Sequence, residues 1–372
     1  MRIGVPKEIK NHEYRVGMTP TAVRELTARG HQVCVQSGAG EAIGLHDEMY
    51  ARVGAVLLPT AEEVFAGADL LVKVKEPQVQ EISRLRPDHT VFTYFHLAPD
   101  PEQTAALLKS GATCIAYETV TDARGGLPLL APMSEVAGRM AIQAGAHCLE
   151  SVSGGRGVLL GGVPGVASAK VVVLGAGVVG TNAARMAIGL GAHVTILDIS
   201  QARLYDLDQQ FGGRLNTIFS TIDSIEEHVA SADLVIGAVL LPGAEAPRLI
   251  TEAMVKEMKK GSVLVDVAID QGGCSETSRP TTHDNPTYIV HDVVHYAVAN
   301  MPGGVARTST FALNNATLPF IIALAEQGPK AAMLANPHLR DGLNIYRGAL
   351  TYKAVAEAQN RAYTDAQVAL RA

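Results

Sequence analysis

The chain has 372 residues, 47% of them hydrophobic and 18% charged, with a formal net charge of −6. That length exceeds what one hydrophobic core usually serves, so two domains are expected, and the composition is that of a folded globular protein, not a disordered one. The mild acidic balance argues against a general affinity for nucleic acid or anionic membranes.

The opening stretch, MRIGVPKEIKNHEYR, is too polar for a signal peptide. No apolar run approaches the roughly 18 residues of a membrane helix, so neither a membrane nor a nucleic acid is expected as a partner. MRIGVPKE reads as a short strand and TPTAVRELTARG as a helix with Thr19 at its start and Gly30 past its end. HQVCVQSG is a strand, DEMYARVG a helix and ADLLVKVKEP a strand. TVFTYFHLA follows as a buried strand ending in His96, then a helix over PEQTAALLKSG and the strand ATCIAYETV. Strand and helix in alternation predict a parallel α/β sheet.

MSEVAGRMAIQAGAHCLES reads as a long helix with Ser134 at its head, and the glycine-dense SGGRGVLLGGVPGVAS as loop. A second α/β unit starts at AKVVVLGAGVVG and runs through VDVAIDQGG to about residue 300. The tail from TSTFALNNATLPFIIALAEQG onward reads as helices only, too few for a third domain. The expected fold is therefore α/β, with two Rossmann-like domains of parallel sheet and a cleft between them. Residues 1–130 plus 306–372 are expected to form one discontinuous domain and residues 131–305 the other. The four cysteines, Cys34, Cys114, Cys148 and Cys274, form no C-x-x-C pair. They read as buried reduced thiols of a cytoplasmic protein.

VVVLGAGVVGTNAARMAIGLGAHVTILD is the most informative stretch. A lone G-x-G-x-x-G is weak evidence, but here strand, glycine turn, helix, second strand and terminal acid come in order. Gly175 makes the tight turn, Gly177 lets a pyrophosphate approach the backbone and Gly180 lets the helix sit close on the strand. The helix N-terminus offers free N–H groups and a positive dipole end to the phosphates. Asp198, about 20 residues on, suits the adenosine ribose hydroxyls and would repel a 2′-phosphate, so NAD is favoured over NADP; Arg203 nearby works against that preference. ADLVIGAVLLPG ends in Ala238, Val239 and Leu240, suited to covering a ribose, and GSVLVDVAIDQGG ends in Asp270, which can face the nicotinamide half. Asp266 alternates to the same side but sits deeper and reads as a structural acid.

Arg15 follows the first strand, Lys75 closes LLVKVKEP and His96 closes TVFTYFH. Each alone reads more readily as a solvated, snorkelling or hydrogen-bonded group. Carboxyl ends of parallel strands share one edge, however, and there the three can converge. An arginine fork suits a carboxylate, a lysine holds a carboxylate or polarises a carbonyl, and a histidine exchanges a proton near neutral pH. Together they describe a site for a small 2-oxo or 2-amino acid undergoing hydride transfer.

MRIGVPKEIKNHEYRVGMTP, VKVKEP, FTYFHLA, GAGVVG, VDVAIDQGG, SRPTTHDNPTY and VANMPG together resemble NAD-dependent L-alanine dehydrogenase, of the alanine dehydrogenase and transhydrogenase NAD-binding component family, over nearly the whole chain. The resemblance implies reversible conversion of L-alanine, NAD⁺ and water to pyruvate, ammonium and NADH, in a two-domain and commonly hexameric protein. It implies that Arg15 and Lys75 hold the substrate carboxylate and carbonyl, that His96 is the acid/base and that Asp270 is the second catalytic group. It implies an NAD site lined by Ser134, Val178, Val179, Asp198, Arg203, Ser220, Val239, Leu240, Val267, Ala268, Ile269, Asp270, Arg279, Asn300 and Met301, with the three glycines. Some family members hold magnesium through a glutamate and a histidine. Glu118 matches the first, but Gln327 stands where the histidine is wanted, so no metal is expected. Leu130 and Met133 are the expected wall of a small pocket for the alanine methyl. The alternatives are the NAD-binding component of a transhydrogenase, an opine- or lysine-type dehydrogenase, and a non-catalytic NAD-binding protein.

Overall fold

A computed structural model describes residues 1–239 and 246–371. The chain divides into two compact units, one made of Met1–Met133 with Val305–Ala372 and the other of Ser134–Gly304. In the first unit the strands are β1 (Arg2–Val5), β2 (Gln32–Gln36), β3 (Val56–Leu58), β4 (Leu70–Val72), β5 (Thr90–Thr93) and β6 (Thr113–Ala116). The second unit has β7 (Lys170–Leu174), β8 (His193–Asp198), β9 (Leu215–Phe219), β10 (Leu234–Gly237), β11 (Val263–Asp266), β12 (Thr287–Val290) and β13 (Val293–Tyr296). The chain then returns to the first unit for β14 (Leu343–Tyr346) and β15 (Ala349–Leu350).

The first sheet runs β15-β14-β6-β5-β4-β1-β2-β3, with β1 to β6 parallel. The second runs β12-β13-β11-β10-β7-β8-β9 and is parallel except for β12. Each thus contains the doubly wound order 3-2-1-4-5-6, in which the direction of winding reverses between two central strands. The reversal lies between β1 and β4 in the first sheet and between β7 and β10 in the second. Both sheets are α/β, with near-continuous apolar central strands because helices cover both faces. β4 and β10 are buried at every position.

The helix Pro20–Thr27 begins as its sequence predicts: the Thr19 hydroxyl accepts the N–H of Ala22, and Pro20 occupies the first turn. Several expectations need correction. β4 stops at Val72 and β5 at Thr93, so neither Lys75 nor His96 lies in a strand. The N–H groups of Val74 and Lys75 turn to a side chain, the Glu8 carboxylate, and the ladder gives way. The helix headed by Ser134 in the sequence reading starts earlier and spans Ala131–Cys148, which leaves Ser134 inside its first turn.

The tail is not helical throughout. LNIYRGAL forms the β14–β15 hairpin, and β14 pairs antiparallel with β6. Its two-residue turn has Arg347 and Gly348 at φ +48 and +83, the backbone of a tight hairpin turn. A four-residue strand set among helix formers carries too little periodicity to declare itself. One helical stretch, Met301–Gln327, is long and apolar enough to cross a membrane by length and composition, against the sequence expectation. Its polar residues have partners within the first unit: Asn314 binds the Thr19 N–H and the Gly17 carbonyl, and Thr310 accepts the N–H of Val16. Of the four free thiols, Cys114, Cys148 and Cys274 are buried, whereas Cys34 on β2 is partly exposed.

Candidate active site

In the second unit, β7 runs into the glycine turn and then the helix Val178–Gly189. The three glycines answer to different constraints. Gly175 has φ +101, and a Cβ there would stand 2.8 Å from the Ala238 carbonyl oxygen. A Cβ on Gly180 would stand 1.8 Å from the Gly175 oxygen, so only glycine lets the helix close on the turn. Gly177 has φ −69, which any residue adopts, and a Cβ there would have open space around it among the described residues. Nothing among the described residues demands glycine at 177. The open space before it, at the positive end of a helix, fits a phosphate group approaching the backbone.

Asp198 closes β8, and its two carboxylate oxygens accept the N–H groups of Ala176 at 2.6 Å and Ser200 at 2.7 Å. The acid is therefore fixed against the glycine turn. Arg203 braces the same turn: Nε and Nη2 donate to the Ala176 carbonyl at 3.3 and 3.1 Å, Nη2 also to the Thr181 hydroxyl, and Nη1 to Asp206. Ser220 follows β9 and donates its N–H to the Asp198 carbonyl at 3.0 Å. Val239 follows β10, and Leu240 lies outside the described residues.

After β11, a 3-10 turn over Val267–Gln271 buries Ala268 and Ile269 and leaves Asp270 exposed. Asp266 is 1% exposed and accepts the N–H groups of Ala268 and Cys274; it is the structural acid its position suggested. Ser134 lies one turn before Gly138, whose Cβ, if present, would stand 2.2 Å from the Val179 carbonyl. That close approach sets the Ser134 helix against the first turn of the dinucleotide helix. Asn300 (φ +59) and buried Met301 follow β13. Arg279 stands apart from the glycine turn, at the sheet edge, with its guanidinium 4.4 Å from the ring centre of Tyr288 on β12.

In the first unit, the loops after β1, β4 and β5 bring Arg15, Lys75 and His96 to one edge, at the winding reversal. The loops are locked together. A Cβ on Gly17 would stand 2.4 Å from the Val72 carbonyl, which places the Arg15 loop on the end of β4. The Thr93 hydroxyl donates to the Lys75 carbonyl at 3.0 Å, which ties the β4 and β5 ends. Arg15 is 2% exposed, not a solvated loop charge. Its Nε and Nη2 donate to the two oxygens of Glu13 at 2.7 and 2.5 Å, and Nη1 points to the Met133 sulfur at 3.1 Å. Burial pulls its pKa down, but the hydrogen bonds and charge of Glu13 outweigh that and hold the guanidinium charged.

The Lys75 side chain is 12% exposed, with Nζ 3.8 Å from Glu76. The His96 side chain is 45% exposed and stacks on Tyr94, the ring centres 5.8 Å apart and the planes at 6°. His96 has φ +50, a left-handed backbone that costs a non-glycine residue about 1 kcal/mol. Glu118 compensates by accepting the N–H groups of Phe95 and His96. The turn swings the imidazole out of the strand plane while Tyr94 and Phe95 remain buried.

The sequence reading missed the groups beneath this edge. Lys73 is fully buried between Glu8 at 3.0 Å and Glu81 at 2.8 Å. Burial pushes the Glu8 carboxyl up against the pull of Lys73, and the two carboxylates hold Lys73 charged despite its burial. Tyr94 and Tyr117 are buried as well, their phenols raised mainly by burial. Strand alternation gives no signal here, since Lys73 and Lys75, two residues apart, would share a face of a strand; β4 stops at Val72, before either of them.

Two family models cover almost the whole chain: the alanine dehydrogenase/PNT N-terminal domain over residues 4–137 and the C-terminal domain over residues 141–353. An alanine dehydrogenase of Halomonas elongata is 61% identical across 98% of this chain and 99% of the relative. One of Mycobacterium tuberculosis is 55% identical across 98% of both. Among solved structures, an L-alanine dehydrogenase superposes with TM-score 0.93 at 51% identity, covering 96% of this chain and 99% of that one. A transhydrogenase from Sinorhizobium meliloti superposes with TM-score 0.81 at 27% identity, covering 95% and 100%.

Proposed function

The chain belongs to the alanine dehydrogenase/PNT family of oxidoreductases, and from that premise we propose that it interconverts L-alanine, NAD⁺ and water with pyruvate, ammonium, NADH and a proton. The observation that carries this reading is that Arg15, Lys75 and His96 lie in the loops that follow β1, β4 and β5, adjacent parallel strands at the winding reversal of the first sheet. A transhydrogenase component needs a dinucleotide crevice but no such carboxylate-binding edge, and the far higher identity to alanine dehydrogenases points the same way.

In this mechanism Arg15 and Lys75 hold the substrate carboxylate and carbonyl oxygen. Glu13 keeps the Arg15 guanidinium charged and aimed, which pre-organises it for a carboxylate. A bound dinucleotide would supply a hydride acceptor for the alanine Cα and, in reverse, a hydride donor. Gly175, Gly177 and Gly180 with the helix they open would hold its pyrophosphate, and Asp198 its adenosine ribose; with Arg203 engaged by Ala176, Thr181 and Asp206, the preference would be for NAD over NADP. His96 takes the proton of the water that adds to the iminium carbon and later gives it to the departing nitrogen. Asp270 orients water or amine and steadies the cationic intermediates. Ser134, Val178, Val179, Ser220, Val239, Leu240, Val267, Ala268, Ile269, Arg279, Asn300 and Met301 complete the dinucleotide site, and Leu130 and Met133 wall the methyl pocket. The family resemblance also supports a cytoplasmic hexamer, which light scattering of the purified protein checks. Enlarging the pocket with Met133→Ala should raise turnover of 2-aminobutyrate relative to alanine, and an unchanged ratio removes Met133 from the pocket.

A further inference from the structure

The segment that carries Lys75 is held by more than its strand. The Glu8 Oε1 accepts the N–H of Val74 at 2.7 Å and of Lys75 at 3.4 Å. Its Oε2 takes the Lys73 ammonium at 3.0 Å, and Lys73 in turn binds Glu81 Oε1 at 2.8 Å. Glu81 Oε2 accepts the N–H of Gln78 at 2.8 Å, and Tyr117 donates to the Lys73 carbonyl at 3.0 Å. The segment from Lys73 to Gln78 is therefore fixed at both ends and in the middle, and Lys75 stands at the centre of that frame. The side chains of Glu8, Lys73 and Glu81 are at most 2% exposed.

Three buried charges are a poor means of raising stability, because the desolvation of each offsets much of the attraction, and well-packed apolar replacements often do as well. Their better-attested use is to specify one arrangement. Glu8 lies three residues past the end of β1 and reaches across the winding reversal to the loop after β4. It joins the two lips of the edge on which the substrate groups stand.

We propose that Glu8 is a positioning residue for Lys75: its carboxylate, locked by Lys73 and Glu81, holds the Val74 and Lys75 backbone and so fixes where the Lys75 ammonium meets the substrate. This rests on the assignment of Lys75 to substrate binding. What matters is reach, not charge. Glu8→Asp keeps the charge opposite Lys73 but draws the carboxylate back by about 1.5 Å, one carbon–carbon bond. Glu8→Gln keeps the reach and an accepting oxygen but loses the charge, and Lys73 retains Glu81.

The test is steady-state kinetics of NADH oxidation with pyruvate and ammonium for wild type, Glu8→Asp, Glu8→Gln and Lys75→Met, with NADH affinity from fluorescence titration. Positioning predicts that Glu8→Asp raises the pyruvate KM about tenfold or more, because misplacement by an ångström is costly, while NADH affinity stays within about twofold. Glu8→Gln should remain within about threefold of wild type for pyruvate, since its amide oxygen keeps the hydrogen bonds from the Val74 and Lys75 N–H groups and only the one from Lys73 is lost. A purely structural role would move pyruvate and NADH together, and a charge role would make Glu8→Gln the worse variant; either result overturns the proposal. So does a Glu8→Asp enzyme with wild-type pyruvate KM when Lys75→Met is impaired, a result that leaves the role of Lys75 standing. A Lys75→Met enzyme with unchanged pyruvate KM removes Lys75 from substrate binding, and this proposal with it.

Discussion

The Glu118 carboxylate accepts the backbone N–H of His96 at 2.6 Å, and its Oε1 stands 4.0 Å from Nδ1 of the same residue. One acid thus holds the left-handed turn that presents the imidazole and faces the ring it presents. Both of its oxygens also meet the N–H of Phe95, at 3.1 and 3.3 Å.

Removing that acid should be felt in both fold and turnover. Glu118→Ala strands the N–H groups of Phe95 and His96, which costs about 1–3 kcal/mol when such groups lose their partner. Urea denaturation should show the loss, and kcat should fall with it. Full stability together with full turnover would show that the turn holds itself.

His96→Ala should lower kcat by about 10²–10⁴, the range for loss of a general acid/base, with NADH binding retained. The pair of readouts separates chemistry from folding. Nearly unchanged turnover would take His96 out of the mechanism.

The glycine turn gives two variants of opposite character. Gly180→Ala forces a Cβ to within 1.8 Å of the Gly175 oxygen and should compromise folding. Gly177→Ala adds a methyl in space left open by the described residues; it should keep the wild-type Tm and lose NADH affinity. A Gly177→Ala protein that binds NADH normally would refute a phosphate site before that residue.

Two buried histidines give stability a definite pH dependence. Burial holds His89 and His295 below the ordinary imidazole value of 6.5. His295 sits between the Val293 carbonyl at 3.0 Å and the Thr277 hydroxyl at 2.8 Å. The folded chain keeps both neutral while the unfolded chain takes up protons below 6.5, so their contribution is full above that value and fades as pH falls toward the depressed folded values. Tm should therefore drop between about pH 7.5 and pH 5.5, and His295→Asn should lessen that slope whatever its absolute Tm. A flat profile in the wild type would contradict this.

What the sequence disclosed, and what it hid, divides by range of interaction. The glycine turn was legible because each of its requirements is local: glycine at 175 for φ, at 180 for closeness, an acid at the end of the next strand. That Arg15, Lys75 and His96 share one edge was legible because parallel order puts the loops after β1, β4 and β5 there. Where the strands stop was not, since Glu8 and Glu118 take the backbone N–H groups from 66 and 22 residues or more away in sequence. Lys73 looked like its neighbour Lys75, and only tertiary packing separates the fully buried one from the one that keeps some exposure. Arg15 read as a loop charge because Glu13, two residues before it, gives no sign in sequence of being buried with it.

The most direct measurement is NADH oxidation with pyruvate and ammonium supplied together and then singly, followed by NADH fluorescence in a chain that has no tryptophan to interfere. A carboxylate-holding edge that serves amination predicts oxidation only when both are present, with alanine as the product. No oxidation with both, or the same rate with pyruvate omitted, would contradict it.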